Sequence, residues 1–226
     1  LPETLFAPLD NYCERTGPEF WSEPLNAATN LSFIIAGIID LVLCRRARAD
    51  QFAWLLSVWV IVIGVGSGLF HTFANQLTLL ADVLPILAFI LLFTWYTLRR
   101  FLGLPAMGSL GILVAFFVVT YGLVALAPDR LHTLTNGTLG YLPAFLGMLF
   151  FGGWLAMRGH PATRYVLAAA GVFLVSATFR SVDAAVCETL PVGTHFLWHT
   201  LNGVVLGILA AAAALHGRAE RVGAYA

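Results

Sequence analysis

Seven mostly apolar runs of about 20 residues, the length a helix needs to cross a bilayer, divide this chain. They fall at 25–44, 52–73, 77–98, 108–127, 139–157, 165–182 and 194–215 and take up most of its 226 residues. Lipid leaves a spanning backbone two solutions, the helix and the closed barrel. The runs lack the apolar–polar alternation of barrel strands. Connections are short, which makes consecutive helices antiparallel neighbours. The expected fold is an all-α integral membrane protein, a bundle of seven transmembrane helices. Its expected parts are an N-terminal segment, 1–24, a transmembrane domain, 25–215, and a tail, 216–226. Segment 1–24 is rich in acidic residues and proline and has no apolar core of the signal-peptide kind.

Composition closes off the soluble classes. Hydrophobic residues make up 59% and charged residues 11%, against about a quarter charged in a soluble domain. The twelve basic residues are all arginine and balance twelve acidic ones, so no basic patch exists for nucleic acid. Without lysine no side-chain amine can form a Schiff base, which excludes a retinal protein. The lack of lysine beside abundant Ala, Gly and Leu suggests a GC-rich bacterial genome, hence a bacterial inner membrane.

Arginine placement gives an expected orientation. Arg45, Arg46, Arg48, Arg99, Arg100, Arg158, Arg164, Arg218 and Arg221, nine of the twelve, fall on one side of the alternating spans. The positive-inside rule makes that side cytoplasmic, with the N-terminus outside and the C-terminus inside. Cys13 and Cys187 then share the oxidising side while Cys44 lies at the inner end of span one. That distribution allows a Cys13–Cys187 disulfide; the plainer alternative is two unrelated small residues.

Ionisable residues inside a span are costly and are functional candidates by default. His71 ends span two, with Ser67 one turn before it on the same face; Asp82 lies early in span three. His195 and His199, four apart, open span seven and project from one face. All five share the outer half of the bundle. Three histidines with a free fourth position are the ligand set of a catalytic zinc site. Asp82 would then be the general base and proton donor, and Ser67 a hydrogen-bond donor to a developing oxyanion. The plainer readings are a hydrogen-bonded core His71 and an Asp82 that caps helix three. Arg180 and Asp183, three apart, read as an intrahelical ion pair, and Asp40 as a partner of Arg45 or Arg46. His132, His160 and His216 fall in or next to loops.

A second constellation precedes span one: Asp10, Asn11, Tyr12, Glu14, Glu19 and Glu23, around Gly17-Pro18. Dense oxygen donors on a short loop suit a hard cation such as Ca²⁺. A solvated acidic loop with an interfacial Trp21 is the alternative.

Together these motifs resemble a known family. Asp-Asn-Tyr-Cys-Glu with Phe-Trp-Ser-Glu-Pro-Leu-Asn-Ala-Ala-Thr-Asn (10–30), Gly-Ser-Gly-Leu-Phe-His (66–71), Asp82 and His-Phe-Leu-Trp-His (195–199) are similar to the alkaline ceramidases. These belong to a wider group of seven-helix membrane hydrolases that includes the adiponectin-receptor relatives. The resemblance runs from Asp10 to the end. It implies an intramembrane zinc amidase that cleaves ceramide to a sphingoid base and a fatty acid, with the lipid entering from the bilayer. It also implies zinc on His71, His195 and His199, catalysis by Asp82 and Ser67, and a Cys13–Cys187 disulfide. Finally it implies a calcium ion near the N-terminus, although the loop after Glu14 is shorter than the animal pattern. Asp10 or Asn11 would take the first position, Tyr12 would offer its backbone carbonyl, Glu14 would follow, and Glu19 and Glu23 compete for the last. No obligatory protein partner is evident. Two other classes use the same histidines: a non-enzymatic receptor or transporter, and a haem-binding membrane protein.

Overall fold

The computed structural model describes residues 3–217; most of the expected tail, with Arg218 and Arg221, lies outside them. Among the described residues there is no strand, and seven helices are long and apolar enough to cross a membrane. The first span joins a short α1 (Pro24–Thr29) to α2 (Leu31–Ala47). Then come α3 (Gln51–Phe73), α4 (Gln76–Tyr96, carried on by a π-helical turn to Phe101) and α5 (Ala106–Ala125). A short α6 (Asp129–Leu134) leads to α7 (Leu142–Met157), α8 (Thr163–Val186) and α9 (His195–His216).

Short connections force sequential packing. Each long helix packs on the next around a closed ring: α2 on α3, α3 on α4, α4 on α5, α5 on α7, α7 on α8, α8 on α9, and α9 back on α2. Helices α3 and α9 also touch each other. The outer surface carries exposed Ile35, Ile39, Val58, Val62, Val118 and Leu149, a face that only lipid or another apolar surface would leave unstrained. The interior is not uniformly apolar: Asp40, Ser57, Thr97 and Ser109 are buried toward one end, and a denser group with His71, Asp82, Asp183, His195 and His199 lies at the other.

That end is shaped by local signals. The Asn75 side chain accepts from the Thr78 amide at 3.0 Å, and the Thr78 hydroxyl accepts from the Asn75 amide at 3.1 Å, a reciprocal cap that starts α4. Asp82 therefore lies well inside the helix, and the capping alternative for it is set aside. Pro85 removes the N–H that would bond the Ala81 carbonyl. That carbonyl faces Gly66 of α3, so closely that a Cβ there would overlap it. The close approach brings Ser67 of α3 beside Asp82 of α4.

The N-terminal segment crosses the same end. The Leu9 amide donates to the Ala74 carbonyl at 2.7 Å, and Pro8 bridges to Asn75. Cys13 pairs with Cys187 at a Cα separation of 5.1 Å, tying the segment to the end of α8, while Cys44 is free and buried.

Two expected ion pairs are absent among the described residues. Asp183 accepts from backbone amides instead of meeting Arg180, whose Nη1 donates to the Asn136 carbonyl at 2.6 Å. Asp40 is buried, with Oδ2 unpartnered and no ion pair to Arg45 or Arg46.

Gly66→Ala should wedge α3 from α4, because the obstacle is backbone and cannot rotate away. The expected cost is about 1–3 kcal/mol, read as a lowered melting temperature in detergent. Gly68→Ala, where a Cβ meets nothing within 4 Å, should not lower melting and should raise it slightly through helix propensity.

Candidate active site and metal centre

His71 ends α3, and His195 and His199 occupy the first two turns of α9. The α3–α9 contact brings the three together, fully buried, with one ligand atom from each lying within 4.8 Å of the others. Ring centroids are 4.5 Å apart for His71–His199 and His195–His199 and 5.3 Å for His71–His195. Among the described residues this is the group of histidine, cysteine and carboxylate donors that could hold a metal ion.

Each ring is fixed from behind. His71 Nδ1 lies 2.5 Å from Glu23 Oε2. An ionised carboxylate only accepts, so Nδ1 carries the proton and Nε2 keeps its lone pair. His71 Nε2 has no hydrogen-bond partner although buried, and neither has His195 Nδ1. Orphaned buried nitrogens are costly in a bundle core and suit a metal. His199 Nδ1 meets the Thr29 hydroxyl at 3.3 Å, and the His195 ring is stacked on Tyr12 with centroids 3.7 Å apart.

Asp183 holds the start of α9. Its Oδ1 accepts from the Thr194 and His195 amides at 2.6 and 2.9 Å, and its Oδ2 accepts from the Cys13 amide at 3.3 Å. The free amides at a helix start attract a carboxylate more strongly than a side chain three residues away does, which explains the missing Arg180 pair. Arg180 lies instead against the faces of Tyr141 and Trp198, 5.4 and 5.6 Å from their centroids.

A cavity runs from this polar head down the bundle. Tyr12, Ser67, Asp82, Arg180, His195 and His199 line its head, and Phe89, Phe93, Thr97 and Leu209 its far end. From Asp82 to Thr97 is 15 residues along α4, about 22 Å of helical rise. Asp82 is 9% exposed with Oδ1 unpartnered, beside the Ser67 hydroxyl. Ser67, Asp82 and the three histidines are thus brought together as expected. His132, His160 and His216 are not part of the cluster.

Among the described residues, the carboxylates of the six residues expected to bind calcium do not form a metal-holding group of three. Asp10, Asn11 and Glu19 are exposed. Glu14 accepts from the Leu25 and Asn26 amides, both at 2.7 Å, and so caps α1. Tyr12 places its ring over His195, and burial pushes its phenol pKa up, with Arg180 opposing and Asp82 adding to the rise. Glu23 engages Arg15 through Oε1 and His71 and Asn26 through Oε2. Burial alone would raise the Glu23 pKa, but the hydrogen bonds from His71, Arg15 and Asn26 hold it below the ordinary value. Sequence reasoning missed Arg15 and gave Asp183 a different partner, since neither the fold-back of the N-terminal loop onto His71 nor the open amides of α9 can be read from spacing.

The ceramidase family model matches residues 10–220, nearly the whole chain and all of this site. The chain belongs to the ceramidase family. Comparison with curated proteins returns no match. The family is one of hydrolases acting on an amide bond, and the seven spans make this ceramidase-family chain an integral, multi-pass membrane protein.

Asp183→Asn turns an amide NH₂ or a weaker acceptor toward three backbone N–H groups. A lost charge-assisted bond is worth about 1.5–3 kcal/mol, so the variant should melt at lower temperature. Asp129→Asn, at the exposed start of α6, should lower melting much less, since an exposed first-turn acid is worth only about 0.3–1 kcal/mol.

Proposed function

We propose that this chain is a zinc-dependent intramembrane amidase that hydrolyses ceramide, or a related N-acyl sphingoid lipid, to a sphingoid base and a free fatty acid. One observation carries the reading: three buried histidines, two with orphaned ring nitrogens, stand at the polar head of a long apolar cavity in a ceramidase-family chain. Three protein nitrogens with an open position are the ligand set of a catalytic zinc. A zinc ion held there supplies a Lewis acid and an acidified water.

The chain's own residues supply the rest. Asp82 Oδ1 faces the cavity head unpartnered, takes the proton from the attacking water and returns it to the departing amide nitrogen. Ser67 donates a hydrogen bond to the amide oxygen as negative charge develops there. Tyr12 and the Cys13–Cys187 bridge close the head against bulk water. The apolar shaft from Ile86 to Leu209 accommodates an acyl chain, so the lipid enters from the bilayer. By the arginine asymmetry the head faces the outer side of the membrane, with the C-terminus cytoplasmic, in a bacterial inner membrane. A receptor or haem carrier would have no use for a carboxylate poised beside three metal-facing imidazoles.

Metal analysis of purified protein beside hydrolysis of a fluorescent ceramide panel tests the reading. His199→Ala should lose bound zinc and activity together. Asp82→Asn keeps size and polarity but cannot shuttle a proton; zinc should stay while turnover falls by about 10²–10⁴, the span for a lost acid–base group. Full zinc in His199→Ala would sink the ligand assignment, and near-normal turnover in Asp82→Asn would place the base elsewhere.

A further inference from the structure

The mechanism leaves one buried cation unused. Arg15 is 6% exposed and stands in the loop between Cys13 and α1. Its Nε donates to Glu23 Oε1 at 2.5 Å, its Nη1 to the Gly17 carbonyl at 3.0 Å, and its Nη2 to the His71 carbonyl at 3.5 Å. The other oxygen of Glu23 meets His71 Nδ1 at 2.5 Å and the Asn26 amide nitrogen at 3.1 Å. Guanidinium, carboxylate and imidazole therefore stand in series, Arg15–Glu23–His71, with Glu23 only 1% exposed.

We propose that Arg15 is the built-in cation of the N-terminal loop. Its guanidinium holds the place at Glu23 where the acidic loop would otherwise seat a divalent cation, and through Glu23 it orients His71 as a metal ligand without calcium. The orienting half rests on the reading of His71 as a zinc ligand.

The chemistry favours an arginine for this task. A carboxylate this buried needs a cation and filled lone pairs, and Glu23 has both: Arg15 on Oε1, and His71 and Asn26 on Oε2. The planar fork of five donors lets one side chain reach Glu23, Gly17 and His71 at once. It thereby ties the loop to the last turn of α3, where the His71 ring is mounted. The loop also offers no second buried free carboxylate, because both oxygens of Glu14 are spent on the start of α1. A carboxylate behind a metal-ligating imidazole fixes the ring and raises its basicity, and loss of such a partner lowers metal affinity about 10–100-fold. Arg15 is thus a positioning residue, one contact further from the metal.

The test uses the full chain in detergent with three readouts: zinc affinity by chelator competition, the visible spectrum of the Co²⁺-loaded protein, and melting across a Ca²⁺ titration from a chelator-treated state. Arg15→Gln should lower zinc affinity by about 10–100-fold and shift the Co²⁺ bands. Arg15→Ala should regain affinity with added methylguanidinium, and Arg15→Lys should recover part of it, keeping charge but losing the fork. If the Arg15 variants do not fold, Glu23→Gln should show the same affinity loss. Wild-type melting should not move with calcium. Wild-type zinc affinity and an unshifted Co²⁺ spectrum in Arg15→Gln would overturn the orienting role. A calcium-dependent rise in wild-type melting would overturn the built-in cation. A wild-type protein that binds neither Zn²⁺ nor Co²⁺ would overturn the proposed function and the orienting half with it, and the calcium titration would still decide the rest.

Discussion

A charge taken into a membrane protein must find its compensation inside the fold, because desolvation costs several kcal/mol per ion. Glu23 is where this structure meets that demand most fully. It stands just before the first span, yet it is 1% exposed and bonded to Arg15, His71 and Asn26. Those partners come from the N-terminal loop, from the end of α3 and from α1, so one carboxylate sets how three pieces of chain meet. The disulfide to Cys187 and the three amides gathered by Asp183 add the α8–α9 corner. Loop and helices are thereby locked around the same imidazole cluster.

The spans were legible in the sequence because hydrocarbon thickness sets a length that composition reveals directly. Their edges were less so. The extension of α4 through a π-helical turn to Phe101 and the onset of the fifth span at Thr138 depend on backbone pairing, not hydropathy. The histidines were legible for a related reason: in lipid an ionisable side chain stands out against its surroundings, and the four-residue spacing of His195 and His199 specifies a shared face. Arg180 and Asp183 show where that logic stops. Their spacing predicts a pair, but it carries no information about the free amides of α9, which compete for the carboxylate and win.

The acidic loop shows the same limit from the other side. Counting oxygens in 10–23 points to a cation, and the structure places one at Glu23; but it is the guanidinium of Arg15, eight residues earlier. Which carboxylates are free for an ion depends on which ones the backbone has already used. Glu14 looks equivalent to Glu23 in sequence, yet it faces the first amides of α1, where Pro24 leaves Leu25 and Asn26 as the open donors. Residue type was readable, and the division of labour among like residues was not.

Polarity changes along the cavity. Its head concentrates Asp82, Ser67, Tyr12, Arg180, His195 and His199, and its shaft is mostly phenylalanine, isoleucine and leucine, with Thr94 and Thr97 toward the far end. A small polar ligand would gain nothing from about 22 Å of mostly apolar wall, whereas an amphiphile with one amide near its head group would bury its tail there and bring the amide to the histidines. The Gly66–Ala81 contact sets the register of that encounter, since it fixes Ser67 of α3 beside Asp82 of α4. It exists because two ordinary rules are broken together: a glycine within α3 and a proline within α4. Each weakens its own helix, and combined they let two backbones approach until a hydroxyl and a carboxylate stand together at the cavity head with the histidines. In the proposed reaction these are the groups that must act on the same amide, so the local helix defects are what place the chemistry.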